Sequence, residues 1–104
     1  MKYNTTKLLQ AMYDDEFYQN YQVDNIKNNL LDFINFIERQ NSLEDIKHKL
    51  DDVIIHINQI GKEQKLDDKA RDCIIHNILA ILKFYGIKIS LEEITSAKEW
   101  YTTL

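Results

Sequence analysis

The chain has 104 residues, a formal net charge of −4, no proline and two glycines, which fits one domain over residues 1–104 built from long helices with few tight turns. The mild acidity, without a cluster of Lys and Arg, argues against direct contact with nucleic acid, which usually requires a basic face. The single Cys73 excludes an internal disulfide, and the sequence shows neither an apolar signal core nor a membrane-spanning apolar run, so we expect a cytoplasmic protein without a membrane contact.

The N-terminal region predicts a short helix followed by an aromatic turn. Thr5 or Thr6 can cap this helix, and the acidic run 14–16 ends it. Its apolar residues are Leu8, Leu9, Met12 and Tyr13. The next stretch, which fits a loop or a helical turn equally well, carries three aromatic residues, Phe17, Tyr18 and Tyr21.

Two amphipathic helices come next. The second helix is predicted from Val23 to Arg39, because apolar residues recur at steps of three and four along it. Ser42 caps the third helix, and we expect Gly61 to end it in a left-handed turn. The apolar stripe of the third helix consists of Leu43, Ile46, Leu50, Val53, Ile57 and Ile60.

The fourth helix has an unusually wide apolar face, which predicts that other elements contact it on two sides. It begins at Asp67 or Asp68 and ends at Gly86, where Ile87 is placed to complete a Schellman turn. Its apolar residues are Ala70, Cys73, Ile74, Ile75, Ile78, Leu79, Ile81, Leu82 and Tyr85.

A last short helix begins with the capping box Ser90–Glu93 and ends near Trp100. The connections between helices are short, so successive helices should pack antiparallel. The sequence therefore predicts an all-α fold, a compact antiparallel bundle of three long helices with short helices at both ends.

Several short segments, taken in their order along the chain, resemble a known family. They are Met12–Tyr18, Val23-Asp24, Leu50-Asp51, Ile57-Asn58, Ala70–Asp72, Tyr85-Gly86 and the closing Lys98-Glu99-Trp100. Together they look like a family of small uncharacterised bacterial proteins, known only as a domain of unknown function, over about residues 8 to 100. The resemblance implies a helical fold and a bacterial or phage source, but no activity.

His48, Asp52 and His56 form a candidate metal site, because they recur every fourth residue on one predicted helix and both residue types bind zinc and related ions. Four residues advance about 6 Å along a helix, so one ion could bind only two neighbouring members. A third ligand would come from elsewhere, with Asp72 or His76 as candidates. The competing interpretation is a solvated face, since Asp52 lies opposite the apolar stripe of this helix.

Arg71 falls within the apolar arc of the fourth helix, where a guanidinium needs a carboxylate partner or a route to water. Asp24 is the partner that we name, with Asp14, Asp15 and Glu38 as further candidates. The pair would either tie the N-terminal region to the fourth helix or line a ligand-binding pocket. Alternatively, Arg71 lies close enough to the helix start to reach solvent.

Aromatic and acidic residues near both ends of the chain form a candidate partner-binding set. Its members are Tyr13, Asp14, Asp15, Tyr18, Tyr21, Trp100 and Tyr101. Aromatic side chains are enriched at protein interfaces, but they also dock terminal segments into a core, and the sequence leaves both roles open.

The sequence shows no catalytic set and no cofactor motif, which favours a non-enzymatic module that binds another protein. An immunity protein, an antidote or a phage-encoded inhibitor would have these properties. The alternative is a small metal- or ligand-binding helical protein, conceivably a hydrolase, that uses the His and Asp side chains. In either case the wide apolar face of the fourth helix leaves a homodimer open.

Overall fold

Helices form all the regular structure in residues 2–96, which are the residues that the computed structural model describes. In chain order they are a 3₁₀ turn at Thr5–Lys7, α1 (Gln10–Asp14), α2 (Asn20–Glu38), α3 (Leu43–Glu63), α4 (Asp68–Phe84) and α5 (Leu91–Ser96). The predicted all-α fold, with three long helices between short ones, is therefore confirmed. The predicted end of the last helix near Trp100 lies outside the described residues.

Side-chain caps fix where the helices begin. The Asp45 N–H donates to Ser42 Oγ at 3.1 Å at the start of α3, as the sequence predicts. The start of α2 lies earlier than the predicted Val23, because Gln19 and Gln22 form a reciprocal capping box in which the Gln19 N–H donates to Gln22 Oε1 at 3.0 Å. Glutamine is not a usual N-cap residue, so this start could not be predicted from the residue type at position 19.

The ends of α3 and α4 each have a left-handed residue, but only at the end of α4 is that residue a glycine. The prediction that Gly61 ends α3 is wrong, since Gly61 is buried within the helix and Lys65 takes the left-handed conformation, with φ 53°. The Leu66 N–H donates to the Gly61 carbonyl at 3.0 Å, and the Leu66 side chain is buried, so an apolar contact sets this stop. At the end of α4, Gly86 has φ 68°, as predicted.

The α2–α3 pair is antiparallel and forms the main apolar contact. Asp32 and Lys49, which lie six residues from the facing ends of the two helices, form an ion pair at 2.5 Å. The buried residues of the two helices are Val23, Ile26, Leu30, Phe33, Ile34 and Ile37 of α2 and Ile46, Leu50, Val53, Ile54 and Ile57 of α3. Full burial of such side chains contributes about 1.5–3 kcal/mol each.

The predicted first helix is interrupted, which corrects the expectation of one continuous element from Thr5 or Thr6. The helical structure is interrupted between the 3₁₀ turn and α1, where Leu9 takes a left-handed conformation with φ 57°. The Leu9 N–H donates to Asn77 Oδ1 of α4 at 3.0 Å. The break allows both Leu8 and Leu9 to be fully buried, which compensates for the unfavourable backbone conformation.

Residues 3–18, which we call the N-terminal segment, run antiparallel along α4. The Tyr3 N–H donates to the Tyr85 hydroxyl at 3.2 Å just beyond the C-terminal end of α4. The Leu9 N–H donates to Asn77 near the middle of α4. Asp15 pairs with Lys69 at 3.1 Å near the N-terminal end of α4. The segment thus covers a second side of α4, which explains the wide apolar face of this helix.

The described residues form a compact body. Their radius of gyration is 13.1 Å, close to the value of about 13 Å expected for a globular chain of 100 residues. Within residues 2–96, every helix is too short or too polar to cross a bilayer.

Candidate functional site

The turn between α1 and α2 and the first turn of α2 each expose a large aromatic side chain. Phe17 in the turn is 70% exposed and Tyr21 in α2 is 58% exposed, and Asp14, Glu16 and Asp24, which lie within three residues of one or the other in the sequence, are also exposed. These five residues are the acidic aromatic surface. Single exposed apolar residues are common on proteins, whereas neighbouring ones mark a contact site.

Asp15 fixes the turn that carries Phe17. One carboxylate oxygen accepts the Phe17 N–H at 3.0 Å, and the other pairs with Lys69 of α4 at 3.1 Å. The hydrogen bond from the Phe17 backbone and the Lys69 ammonium hold the pKa of Asp15 below its ordinary value. Asp15, predicted as a partner-binding residue, therefore positions the surface and is itself engaged within the chain.

Tyr18 anchors the same turn from beneath, which agrees with docking, one of the two roles that the sequence leaves open for it. Its side chain is 5% exposed, and its hydroxyl donates to Asp67. Asp67 Oδ1 also accepts the Ala70 N–H at 2.9 Å, as the N-cap of α4. The rings of Phe17 and Tyr18 pack edge to face with centroids 5.2 Å apart, so the buried ring supports the exposed one.

Tyr13 joins α1 to α2 on the other side of the turn. Its hydroxyl donates to Asp24 at 2.5 Å, and Lys27 Nζ lies 5.6 Å from the centre of its ring. Partial burial and the hydrogen bond to Asp24 raise the pKa of Tyr13 to about 12. The turn is therefore held by contacts to both α2 and α4, and its backbone geometry is preformed.

Arg71 makes its ion pairs within its own helix, and the predicted pair with Asp24 is not formed. Arg71 Nη1 lies 3.3 Å from Asp68, and Nε lies 3.7 Å from Asp72. Asp24 instead accepts the hydrogen bond from Tyr13. Asp68, one turn earlier, and Asp72, the next residue, are on the same helix as Arg71 and reach the guanidinium without ordering a second element, which explains the outcome.

The predicted metal ligands do not come together. His48, Asp52 and His56 are exposed on α3, while Asp72 and His76 are exposed on α4. Over residues 2–96, no three side chains of His, Cys, Asp or Glu are close enough to share an ion. Each of these residues lies opposite the buried face of its helix, as the solvated-face interpretation requires.

Cys73 is half-buried in α4 and lies against the N-terminal segment. Desolvation raises the pKa of its thiol, which reduces the thiolate that a nucleophilic cysteine needs at neutral pH. Its surroundings therefore favour a packing role.

Comparison with known proteins now gives the family of the chain. A family model described as a family of unknown function, DUF5713, matches residues 2–100. The chain belongs to this family. A search of curated proteins and a search of solved structures each returned no match. The resemblance to an uncharacterised family is thereby confirmed, and any function has to be argued from the geometry.

Sequence reasoning missed the aromatic residue of this DUF5713 member that is most exposed among residues 2–96. Hydropathy favours burying Phe17 and exposing Tyr18, yet the Tyr18 hydroxyl finds an acceptor at the start of α4, which allows the less apolar ring to be buried. The adjacent acidic run was the available signal for this arrangement, because the Asp15 carboxylate accepts the Phe17 N–H and so fixes the conformation of the turn. Trp100 and Tyr101, the remaining predicted partner-binding residues, lie outside the described residues.

Proposed function

We propose that this chain is a non-enzymatic protein-interaction module that binds its partner through the acidic aromatic surface. The observation that carries the proposal is the exposure of Phe17 and Tyr21, 70% and 58%, on the turn between α1 and α2 and in the first turn of α2, which neighbouring helices hold in place. Aromatic side chains dominate the binding energy of many interfaces. A preformed turn also loses little conformational entropy when it binds.

The charge of the surface indicates the chemistry of the partner. Asp14, Glu16 and Asp24 are exposed and lie within three residues of Phe17 or Tyr21 in the sequence, so we infer a complementary surface that is apolar at its centre and basic at its rim. Opposite charges at the rim speed the encounter and disfavour acidic competitors. Immunity proteins, antidotes and phage-encoded inhibitors act by covering a surface of one target, and we place the chain among them, in the bacterial cytoplasm.

Site-specific photo-crosslinking in cells that carry the gene tests this proposal. A photoreactive phenylalanine analogue replaces Phe17 in one variant and Ile55 in a matched control, since Ile55 is a 55% exposed apolar residue on α3. We expect a discrete protein adduct from position 17 and none of that mass from position 55. Equal adducts from both positions would overturn the proposal.

A pair of charge reversals makes the same experiment more specific. Glu16→Lys should abolish the adduct formed at position 17, because it places a positive charge against a basic rim. Asp52→Lys, which changes the net charge equally on the outer face of α3, should leave the adduct intact. An adduct that survives Glu16→Lys would show that the acidic residues take no part in recognition.

A further inference from the structure

A second surface with complementary chemistry lies at the other end of α4. It is an open groove of about 400 Å³ lined by Leu79, Leu82, Ile87 and Ile89, with Lys83 and Lys88 among the lining residues. We call it the lysine groove. The left-handed turn at Gly86, where the Ile87 N–H donates to the Leu82 carbonyl at 2.9 Å, shapes its wall.

The two lysines of the groove have no carboxylate partner among the residues that the structure describes. Both are exposed, whereas Lys47, Lys49 and Lys69 pair with acidic residues. The groove therefore combines an apolar lining with uncompensated positive charge. A fitting occupant carries an apolar side chain next to carboxylates.

The acidic aromatic surface of this chain has that composition. Phe17 projects from the turn, with Glu16 beside it in sequence and Asp14 nearby. We infer that the lysine groove of one copy receives the Phe17 turn of a second copy. Phe17 meets the apolar lining, and the carboxylates of Glu16 and Asp14 meet Lys83 and Lys88.

The contact has to form between molecules, because α4 separates the two surfaces within one chain. The turn is fixed to Lys69 through Asp15, and Lys83 of the groove lies fourteen residues further along the same helix. At 1.5 Å per residue the separation is about 21 Å. Each copy offers its groove to one neighbour and its turn to another, so copies join head to tail through one such contact at each interface.

The interface is small, so the association is weak and sensitive to salt. Interfaces below about 1,200 Å² are typical of transient complexes, and exposed charge pairs are screened within about 10 Å at 0.1 M salt. We therefore expect self-association to appear only as the protein concentration approaches the millimolar range, and to weaken as salt is added.

This inference rests on the proposed function, since it names a second copy as a partner of the same surface. Sedimentation velocity of the purified chain over a rising concentration series tests it. Phe17→Ala removes the aromatic side chain, and Lys83→Glu with Lys88→Glu reverses the charge of the groove. All three residues are exposed, so both variants should keep the wild-type thermal unfolding curve.

The mixture of the two variants is the decisive sample. Each variant alone should stay monomeric where the wild type associates. An equimolar mixture should associate again, because the intact groove of Phe17→Ala can take the intact turn of the double variant. Asp52→Lys should associate like the wild type.

Three results would overturn the inference. They are a wild-type chain that stays monomeric into the millimolar range, variants that associate like the wild type, and a mixture that stays monomeric. If Phe17 still gives its discrete adduct to another protein in cells while the purified chain stays monomeric, the proposed function holds. The lysine groove would then belong to an acidic segment of a different protein.

Discussion

The α2–α3 pair and the N-terminal segment are joined to the molecule by different kinds of contact. The pair is held mainly by complementary apolar stripes, with the ion pair Asp32–Lys49 at its edge. The segment also buries leucines, but the directional hydrogen bonds that it donates to Asn77, Asp67 and Tyr85 fix its position along α4. Apolar contact supplies most of the stability, whereas directional contact places an exposed turn accurately enough to serve as a binding surface.

The largest effect should come from the apolar contact of the α2–α3 pair. Phe33 is fully buried, so Phe33→Ala should lower the free energy of unfolding by about 3–5 kcal/mol. The matched change Phe17→Ala, at a 70% exposed position, should alter it by less than about 0.5 kcal/mol. Denaturant titration measures both, and similar losses would contradict the burial pattern.

The attachment of the N-terminal segment should depend on Asn77. Asn77→Ala leaves the Leu9 N–H without its acceptor and should lower the free energy of unfolding by about 1–3 kcal/mol. It should also speed hydrogen exchange at Leu9. The control is Asn29→Ala, because within residues 2–96 the Asn29 side chain bonds only to the Asn25 carbonyl of its own helix, and this change should be neutral. Equal effects would mean that the segment is held by apolar burial alone.

The tyrosine hydroxyls that join separate elements should make stability fall at alkaline pH. Partial burial and a carboxylate neighbour raise the pKa of Tyr13 to about 12 and raise that of Tyr85. The folded chain thus holds these protons more tightly than the unfolded chain, whose tyrosines titrate near pH 10. The resulting stabilisation is complete below pH 10 and is lost as the pH rises toward 12.

Phenylalanine variants separate this effect from general alkaline unfolding. Tyr13→Phe and Tyr85→Phe should each lower stability by about 1 kcal/mol at neutral pH and make the decline above pH 10 shallower. Tyr21→Phe, at an exposed position, should keep the wild-type slope. Thermal unfolding of the wild type and the three variants between pH 8 and about 12 measures how steeply stability declines. Identical slopes for all three variants would contradict the assignment of this decline to Tyr13 and Tyr85.

The smallest stability effects should occur at the left-handed turns after α3 and α4. Lys65 and Gly86 both have positive φ, 53° and 68°, and a side chain there costs about 1 kcal/mol. Gly86→Ala should therefore destabilise the chain by about this amount, although its Cβ would meet no atom within 4 Å. Lys65→Gly should stabilise it similarly. Changes of the same sign would show that backbone strain does not govern these turns.

Local patterns in the sequence predicted much of the α2–α3 pair. Helical periodicity identifies both stripes, and Ser42 marks the start of α3 within its own turn. Gly86 and Ile87 likewise mark the end of α4 through a bond to its last turn. Such features could be predicted because the residues that cause them lie within a few positions of one another.

The N-terminal segment could not be predicted in the same way. The left-handed Leu9 depends on Asn77, which lies 68 residues further along the chain. The prediction that Gly61 ends α3 was wrong because the buried Leu66, and not Gly61, determines where the helix ends. At the site, composition located the acidic aromatic run. Which of Phe17 and Tyr18 faces outward depended on Asp67, a partner that periodicity does not reveal.

The most direct test of the account is the affinity of the protein partner that is crosslinked at position 17. Isothermal titration should compare the wild type with Phe17→Ala and with the control Ile55→Ala, which changes another exposed apolar residue. An aromatic residue at the centre of an interface contributes about 2 kcal/mol or more, so Phe17→Ala should weaken binding about 30-fold and Ile55→Ala less than about twofold. Equal affinities for both variants would contradict the claim that the acidic aromatic surface is the binding site.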